Sequence, residues 1–378
     1  MTTTLREISA ADHLAFLTAR GSASFLQCPS WAAVKSEWGS VNLGWYDGSG
    51  DLVGVGLVLL RQVPRLKRFL AYLPEGPVLD WAAPDLESWL TPMVALLRRR
   101  GAFAVTMGPP VVVRRWSAPT VKAALADGTA ARLGDLPADE TNPVGVIIAA
   151  TLRRLGWQPP SGGSDSSGAG FAAGQPQFVF QVPLAGRDED GLLAGFNQLW
   201  RRNIKKAAKT GVEVRLGDAD DLPAFHALYL ETAQRDHFIP RPLSYLQTMW
   251  SAMRAEDPDR IRLYLAEHEG DLVAATTMVR VGTHAWYSYG ASSTAKRDVR
   301  GSNAVQWAML RDALAAGATV YDLRGITETL SPDDPHIGLI QFKLGTGGEA
   351  VEYLGEWTMP LNPLLYKAFQ LYMSRRGR

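Results

Sequence analysis

A single cysteine, Cys28, in 378 residues excludes both a disulfide framework and a cysteine-rich metal site. The histidines, at 13, 226, 237, 268, 284 and 336, include no His-x-x-x-His pair and none with a cysteine at ligand spacing, so no metal box is present in the sequence. Long hydrophobic runs are missing as well. The longest, Leu52 to Leu60 with its glycines, falls well short of the about 20 residues that span a bilayer. The start, Met1-Thr2-Thr3-Thr4-Leu5-Arg6, lacks a basic stretch followed by an apolar one, so no signal peptide is expected and a cytoplasmic location is. Excess charge is absent too. With 39 Lys and Arg against 38 Asp and Glu, the formal charge is +1, and any polyanion must be met by a local patch.

What is present describes an ordinary globular protein, 46% hydrophobic and 20% charged, long enough for two domains. The 12 tryptophans are expected mainly in the core. Residues Pro159 to Gln175 are small and polar and read as an exposed loop. A second half then begins at the strand-like Phe178–Val182. The halves echo each other. Gly50-Asp51-Leu52-Val53 and Gly270-Asp271-Leu272-Val273 each precede an apolar run, and a helical stretch and a Gly-Ala step follow at Gly101-Ala102 and Gly317-Ala318. The recurring order of turn, strands, helix and strand reads as a duplicated α/β (α+β) unit, and two acetyltransferase-like (GNAT-like) domains in tandem, with a cleft between or beside them, fit that order. The expected boundaries are 1–176 plus 355–378 for the first domain and 177–354 for the second.

Polar residues fall into four groups. Trp31, Val34 and Lys35 lie in a short predicted helix. Arg241 and Tyr245 stand four apart, with Pro240 and Pro242 placing Arg241 at a helix start, where free backbone N–H groups favour an anion; pairing with Asp236 or Glu231 is the structural alternative. Tyr287 and Tyr289 alternate on a strand and are expected to share a face, lining one cleft with Tyr321-Asp322-Leu323-Arg324-Gly325. Gln341-Phe342-Lys343 precedes Gly345-Thr346-Gly347-Gly348, a stretch able to bring backbone close to a ligand. Separately, Phe196, Leu199, Trp200, Ile204 and Ala207 recur at helical spacing. Arg201, Lys205 and Lys209, flanked by Arg202 and Lys206, form a basic ridge on that helix. It reads either as a solvated face or as a surface that tracks phosphates. Cys28 has no base beside it in the sequence and reads as structural.

Together these groups resemble the Fem family of non-ribosomal peptidyltransferases, in its compact form without a coiled-coil arm, over most of the chain. The resemblance implies transfer of an amino acid, with glycine a plausible choice, from aminoacyl-tRNA to the side-chain amine of a peptidoglycan precursor. The precursor would be lipid-linked or nucleotide-linked, with a peripheral contact at the inner face of the membrane. It implies no cofactor beyond the aminoacyl-tRNA co-substrate, and a monomer is favoured. Carried over residue by residue, Lys343, Phe342 and Tyr289 become catalytic candidates. Lys35, Trp31, Tyr72, Arg241, Tyr245 and Tyr287 become substrate-binding candidates, with Lys35 on a diphosphate. Arg201, Arg202, Lys205, Lys206 and Lys209 become tRNA-binding candidates. Ester aminolysis needs an unprotonated amine and a stabilised oxyanion, and a lysine cation supplies the latter.

The sequence also departs from the family. Met107-Gly108-Pro109-Pro110 replaces a strand end that usually carries a carboxylate, and Pro74-Glu75-Gly76-Pro77 reverses the charge of a Pro-Arg-Gly-Pro step. His237 stands where glycine is usual, and Thr346 where an aromatic is common. These departures keep open an amino-functionalised metabolite as acceptor. An acyl-CoA N-acyltransferase is a further alternative, although Asp298-Val299-Arg300-Gly301-Ser302-Asn303 lacks the initial Arg or Gln and the final small residue of a pyrophosphate loop. A non-catalytic RNA-binding module is the last.

Overall fold

The computed structural model describes residues 3–128, 130–160, 174–334 and 337–376. Most of the loop expected at 159–175, and His336, lie outside the described residues.

Two sheets carry the fold. The first has six strands in the order Thr4–Glu7, Gly39–Tyr46, Leu52–Gln62, Phe69–Leu73, Ala102–Met107, Trp357–Pro360. Its neighbours are antiparallel except for the parallel pair Phe69–Leu73 and Ala102–Met107. The second sheet repeats the same series in Glu213–Gly217, Ile261–His268, Asp271–Val281, His284–Ser292, Val320–Gly325 and Phe178–Pro183, again with one parallel pair, His284–Ser292 beside Val320–Gly325. The duplicated tetrapeptides sit where the echo places them. Gly50 (φ +87°) and Gly270 (φ +83°) turn the equivalent hairpins, a left-handed conformation that costs glycine nothing. Helix Leu86–Arg99 precedes one inner strand and helix Gly301–Ala315 the other. The architecture is thus two GNAT-like units in tandem.

The expected boundary at 176 requires a correction. Strands Val112–Ser117 and Glu140–Thr141 belong to the second sheet, which Glu349–Tyr353 extends by pairing with both Val112–Ser117 and Phe178–Pro183. The cause lies in the ladder. The free edge of Phe178–Pro183 recruits Glu349–Tyr353, whose own free edge pairs with the segment that leaves the first sheet after Met107, so the backbone groups along these edges gain ladder partners. Helix Pro143–Arg154 then returns to the first unit, packing Ile148 and Leu152 with Leu97 and Trp357.

One core lies within the first unit and one within the second, and a third joins them. In the joining core, Phe25 sits edge-on to both Trp31 and Trp286, with ring centroids 5.5 and 5.3 Å away. Burying each such side chain is worth about 1.5–3 kcal/mol, so this shared core holds the two units together. Glu256, ion-paired with buried Arg260 at 3.2 Å, accepts from the Ser30 backbone N–H at 2.7 Å and so caps helix Pro29–Val34 from the other unit.

Candidate active site

The two inner strands of the second sheet pair only from His284–Val320 to Trp286–Asp322 and then part. A β-bulge sits at the point of parting. Across it Thr276 faces Gly290 and Met278 faces Tyr287, so strand His284–Ser292 holds one extra residue. Thr277 Oγ1 accepts from the Tyr289 N–H at 3.1 Å, and Thr276 Oγ1 donates to Tyr289 O at 2.8 Å, locking the bulge. The extra residue breaks the alternation. Tyr287 packs into the second unit's core and Tyr289 into the joining core, so the expected common face does not form. Tyr321 is also not a cleft residue. It is fully buried and donates to Gln306 Oε1 at 2.8 Å.

On the joining-core face, Trp31, Lys35, Arg241, Tyr245 and Tyr289 meet in one cluster. Lys35 caps the C-terminus of helix Pro29–Val34, and its Nζ lies 5.3 Å from the Trp31 ring and 4.9 Å from the Tyr245 ring. Arg241 precedes helix Leu243–Glu256 and stacks over Tyr245 at 5.3 Å, whose hydroxyl is 3.5 Å from that of Tyr289. The carboxylates weighed as partners of Arg241 are engaged elsewhere. Asp236 pairs with Arg235 at 2.8 Å, and Glu231 accepts from the Thr294 N–H at 2.7 Å. Burial, reinforced by Arg241, draws the Lys35 ammonium down to about 8, against the opposing pull of Glu37. Two cations close enough to act on one another, neither of them in an ion pair among the described residues, suit an anionic ligand. Tyr72 joins this cluster through Trp38, whose ring is 6.3 Å from its own.

Lys343 approaches the parted strands from the opposite side, on helix Ile337–Leu344, whose Ile340 and Leu344 anchor in the second unit's core. It is 3% exposed and donates from Nζ to the carbonyls of Gly325 at 2.6 Å and Arg324 at 3.2 Å. Burial draws it down to about 7, with Asp322 opposing and Arg324 assisting. Phe342 packs tilted against Trp200 with ring centroids 4.7 Å apart, and Trp200 Nε1 donates to Phe342 O at 2.8 Å. The glycines after Lys343 serve packing rather than ligand approach. A Cβ at Gly345 would fall 2.0 Å from Trp200 Cδ1, at Gly347 2.1 Å from Gly195 O, and at Gly348 2.2 Å from Gln181 O.

Through those contacts helix Gln198–Lys209 is bolted to the lysine's own helix. Its Arg202, Lys205, Lys206 and Lys209 are exposed and form no ion pair among the described residues. Arg201 stands apart from this ridge, half-buried and donating to Ala194 O at 3.3 Å.

Sequence reasoning missed the polar seam between the units. Arg324 donates to Glu75 Oε1 at 2.9 Å and to Gln175 Oε1 at 2.7 Å, while Ser24 Oγ donates to Glu75 Oε2 at 2.6 Å. The reversed charge at Glu75 therefore has its cation in the other unit. Glu356 accepts from the Tyr72 hydroxyl and, at 3.0 Å, from the Gln175 N–H. Burial pushes this carboxyl up to about 7, although both hydrogen bonds oppose the shift. A Cβ at Gly108 would lie 3.6 Å from Glu356 Cγ, so a carboxylate from a distant strand end stands beside the glycine that replaces one. These pairs are far apart in the chain and left no local signal. Cys28 is 1% exposed, and burial beside Glu256 pushes its thiol up, away from thiolate chemistry.

The model of the FemAB family matches residues 8–269 and 262–374. The lipid II:glycine glycyltransferase of Staphylococcus aureus (strain MRSA252) is 24% identical, covering 97% of this chain and 95% of that protein. A crystal structure of FemX superposes with a TM-score of 0.79 at 21% identity, covering 97% of this chain and 99% of that one. A tandem GNAT protein from the clavulanic acid biosynthesis pathway gives 0.51 at 14% identity, covering 95% and 98%. Among the described residues no helix is long and apolar enough to cross a membrane.

Proposed function

Because the chain belongs to the FemAB family, we propose that it is a transferase that moves glycine from glycyl-tRNA to the side-chain amine of a lipid-linked peptidoglycan precursor, extending an interpeptide bridge. One observation carries this reading. The parted strands are flanked on one face by the Lys35–Arg241–Tyr245–Tyr289 cluster and approached from the other by Lys343, whose helix is fixed to a basic ridge. An acceptor held on the first side can meet an ester delivered from the second.

The chemistry is an aminolysis. The acceptor amine attacks the ester carbonyl, the C–N bond forms, and the tetrahedral oxyanion collapses with loss of the ribose oxygen, which takes up a proton. In its cationic form Lys343, held by two carbonyls, offers its remaining N–H to the developing oxyanion or to the departing oxygen. Glu356, drawn up to about 7 beside Tyr72, is suited to receive the proton that the amine sheds. Lys35 and Arg241 grip the diphosphate of the acceptor, as a point charge and a planar fork. The ridge Arg202, Lys205, Lys206 and Lys209 meets RNA phosphates without reading sequence.

The test is incubation of the purified protein with glycyl-tRNA and lipid-linked precursor, followed by mass spectrometry. A gain of one glycine that ribonuclease abolishes supports the reading. Transfer from acetyl-CoA that survives ribonuclease overturns it.

A further inference from the structure

Helix Pro363–Arg376 lies against strand Ala102–Met107, and its buried face is well defined. Phe369 packs on Phe103 with ring centroids 5.3 Å apart, and Leu365, Tyr366 and Met373 join Val63 and Leu70 around them. Helical geometry puts Leu364, Lys367, Ala368, Leu371, Tyr372 and Arg375 on the other side. That side faces outward, with Leu364 82%, Leu371 54% and Tyr372 39% exposed. An outward face made of large apolar side chains edged by cations is the reverse of a solvated helix.

The neighbouring hairpin has the same character. Between Leu52–Gln62 and Phe69–Leu73 its tip presents exposed Arg65, Leu66, Lys67 and Arg68, with Leu66 46% exposed. The cationic turn Arg98–Arg100 abuts this tip, since Phe69 N donates to Gly101 O at 3.3 Å. Glu7, the nearby acid, is already paired with Arg100. No Asp or Glu occurs from Leu52 to Pro74 or from Trp357 to Arg378. In a chain with a formal charge of only +1, two adjoining segments free of acid are a local asymmetry that needs an anionic counterpart.

We propose that this face, formed by the outward side of helix Pro363–Arg376 and the Arg65–Arg68 hairpin tip, seats the protein on an anionic phospholipid surface. Leu364, Leu371, Tyr372 and Leu66 enter the headgroup boundary, and Arg65, Lys67, Arg68, Lys367 and Arg375 meet lipid phosphates. Position within the fold supports the assignment. Arg61 lies 5.7 Å from the Phe369 ring and 5.3 Å from the Trp38 ring, and the Trp38 backbone N–H donates to Lys35 O at 2.8 Å. The helix that bears the face is thereby linked through Arg61 and Trp38 to Lys35, one of the cations assigned to the acceptor's diphosphate, on the side from which a lipid-linked acceptor would come. The membrane contact stands on the surface alone, and its link to turnover rests on the proposed lipid-linked acceptor.

Co-sedimentation with vesicles tests it, using phosphatidylglycerol against phosphatidylcholine. Wild type should bind the first and not the second, losing the binding as salt rises. Two independent variants, Leu364→Ser with Leu371→Ser and Arg65→Gln with Lys67→Gln and Arg68→Gln, should each weaken it by about tenfold or more. Turnover of a soluble nucleotide-linked acceptor should stay within about twofold, while turnover of the acceptor embedded in vesicles should fall. Equal affinity for both vesicle types, or variants that bind like wild type, would overturn the proposal. A dimer in sedimentation that the leucine variant dissociates would assign the face to a second copy and overturn it too. Wild type that binds the anionic vesicles yet transfers nothing to the embedded acceptor upholds the surface and rejects the acceptor.

Discussion

Arg324 reaches out of the second unit to donate to the Glu75 carboxylate of the first at 2.9 Å. Each residue holds a left-handed backbone, with φ of +62° and +44°, and the two side chains are only 17% and 21% exposed. A largely buried pair of this kind is costly to break from one side. Arg324→Met or Glu75→Gln alone should lower unfolding free energy by roughly 2–4 kcal/mol, since each strands the other charge. The double variant should lose less than the sum of the two. A chemical-denaturation cycle with additive losses would show that the pair is not coupled.

Under the proposed aminolysis, in which its cation acts on charge that appears in the transition state, Lys343→Met should lower kcat by about a hundredfold or more and leave acceptor KM within about threefold. In the wild type, with the lysine drawn down to about 7, the cation is lost as pH rises. Single-turnover rates should therefore decline through neutrality on the alkaline side, and the variant should lack that limb. A loss confined to KM would make Lys343 a binding residue.

Lys35→Ala and Arg241→Ala should weaken an acceptor that carries a diphosphate by about tenfold or more each and hardly affect a truncated acceptor without phosphate. Titration calorimetry on both compounds makes the comparison. Equal losses on the two would mean that the cluster grips something other than phosphate.

Neutralising Arg202, Lys205 and Lys209 together should flatten the salt dependence of charged-tRNA binding, by roughly 0.7–0.9 in log–log slope for each phosphate no longer neutralised. Arg201 is left in place because its guanidinium is committed to Ala194 O at 3.3 Å. Thermal stability should barely move, as exposed helix charges are worth no more than about 0.5 kcal/mol. An unchanged slope would return the ridge to solvent.

Glu356→Gln should alter the pH dependence of stability. With its folded value raised to about 7, the native state binds more protons than the unfolded chain between roughly pH 4.5 and 7. Stability should thus fall as pH rises through that window and then level off. The glutamine variant should lose this slope and gain on the order of 1–3 kcal/mol at pH 8, read by denaturant titration across pH. A variant with the wild-type slope would place the titrating group elsewhere.

Periodic and local features were legible in the sequence. The hairpin turns at Gly50 and Gly270 and the nearness of Arg241 to Tyr245 follow from spacing, because each is fixed within a few residues, whereas the apolar set read around Trp200 holds only in part, since Leu199 is 61% exposed and Phe196 precedes the helix. The bulge was not legible. One extra residue between Tyr287 and Gly290 leaves no compositional trace, yet it sends Tyr287 and Tyr289 to opposite faces. The glycines after Lys343 are equally ambiguous in sequence, since a glycine that clears a ligand and one that clears Trp200 read alike. Long-range pairs such as Tyr72 with Glu356 are decided by topology, which local spacing does not encode.

Strand Trp357–Pro360 completes the edge of the first sheet beside Ala102–Met107, with some 250 residues of chain between them. On a ribosome the first unit therefore waits for all of those residues, its edge strand and the apolar surface around Phe103 uncovered throughout. Vectorial synthesis cannot finish this protein one half at a time. The interval in which it is most exposed to misassembly is set by the rate of elongation.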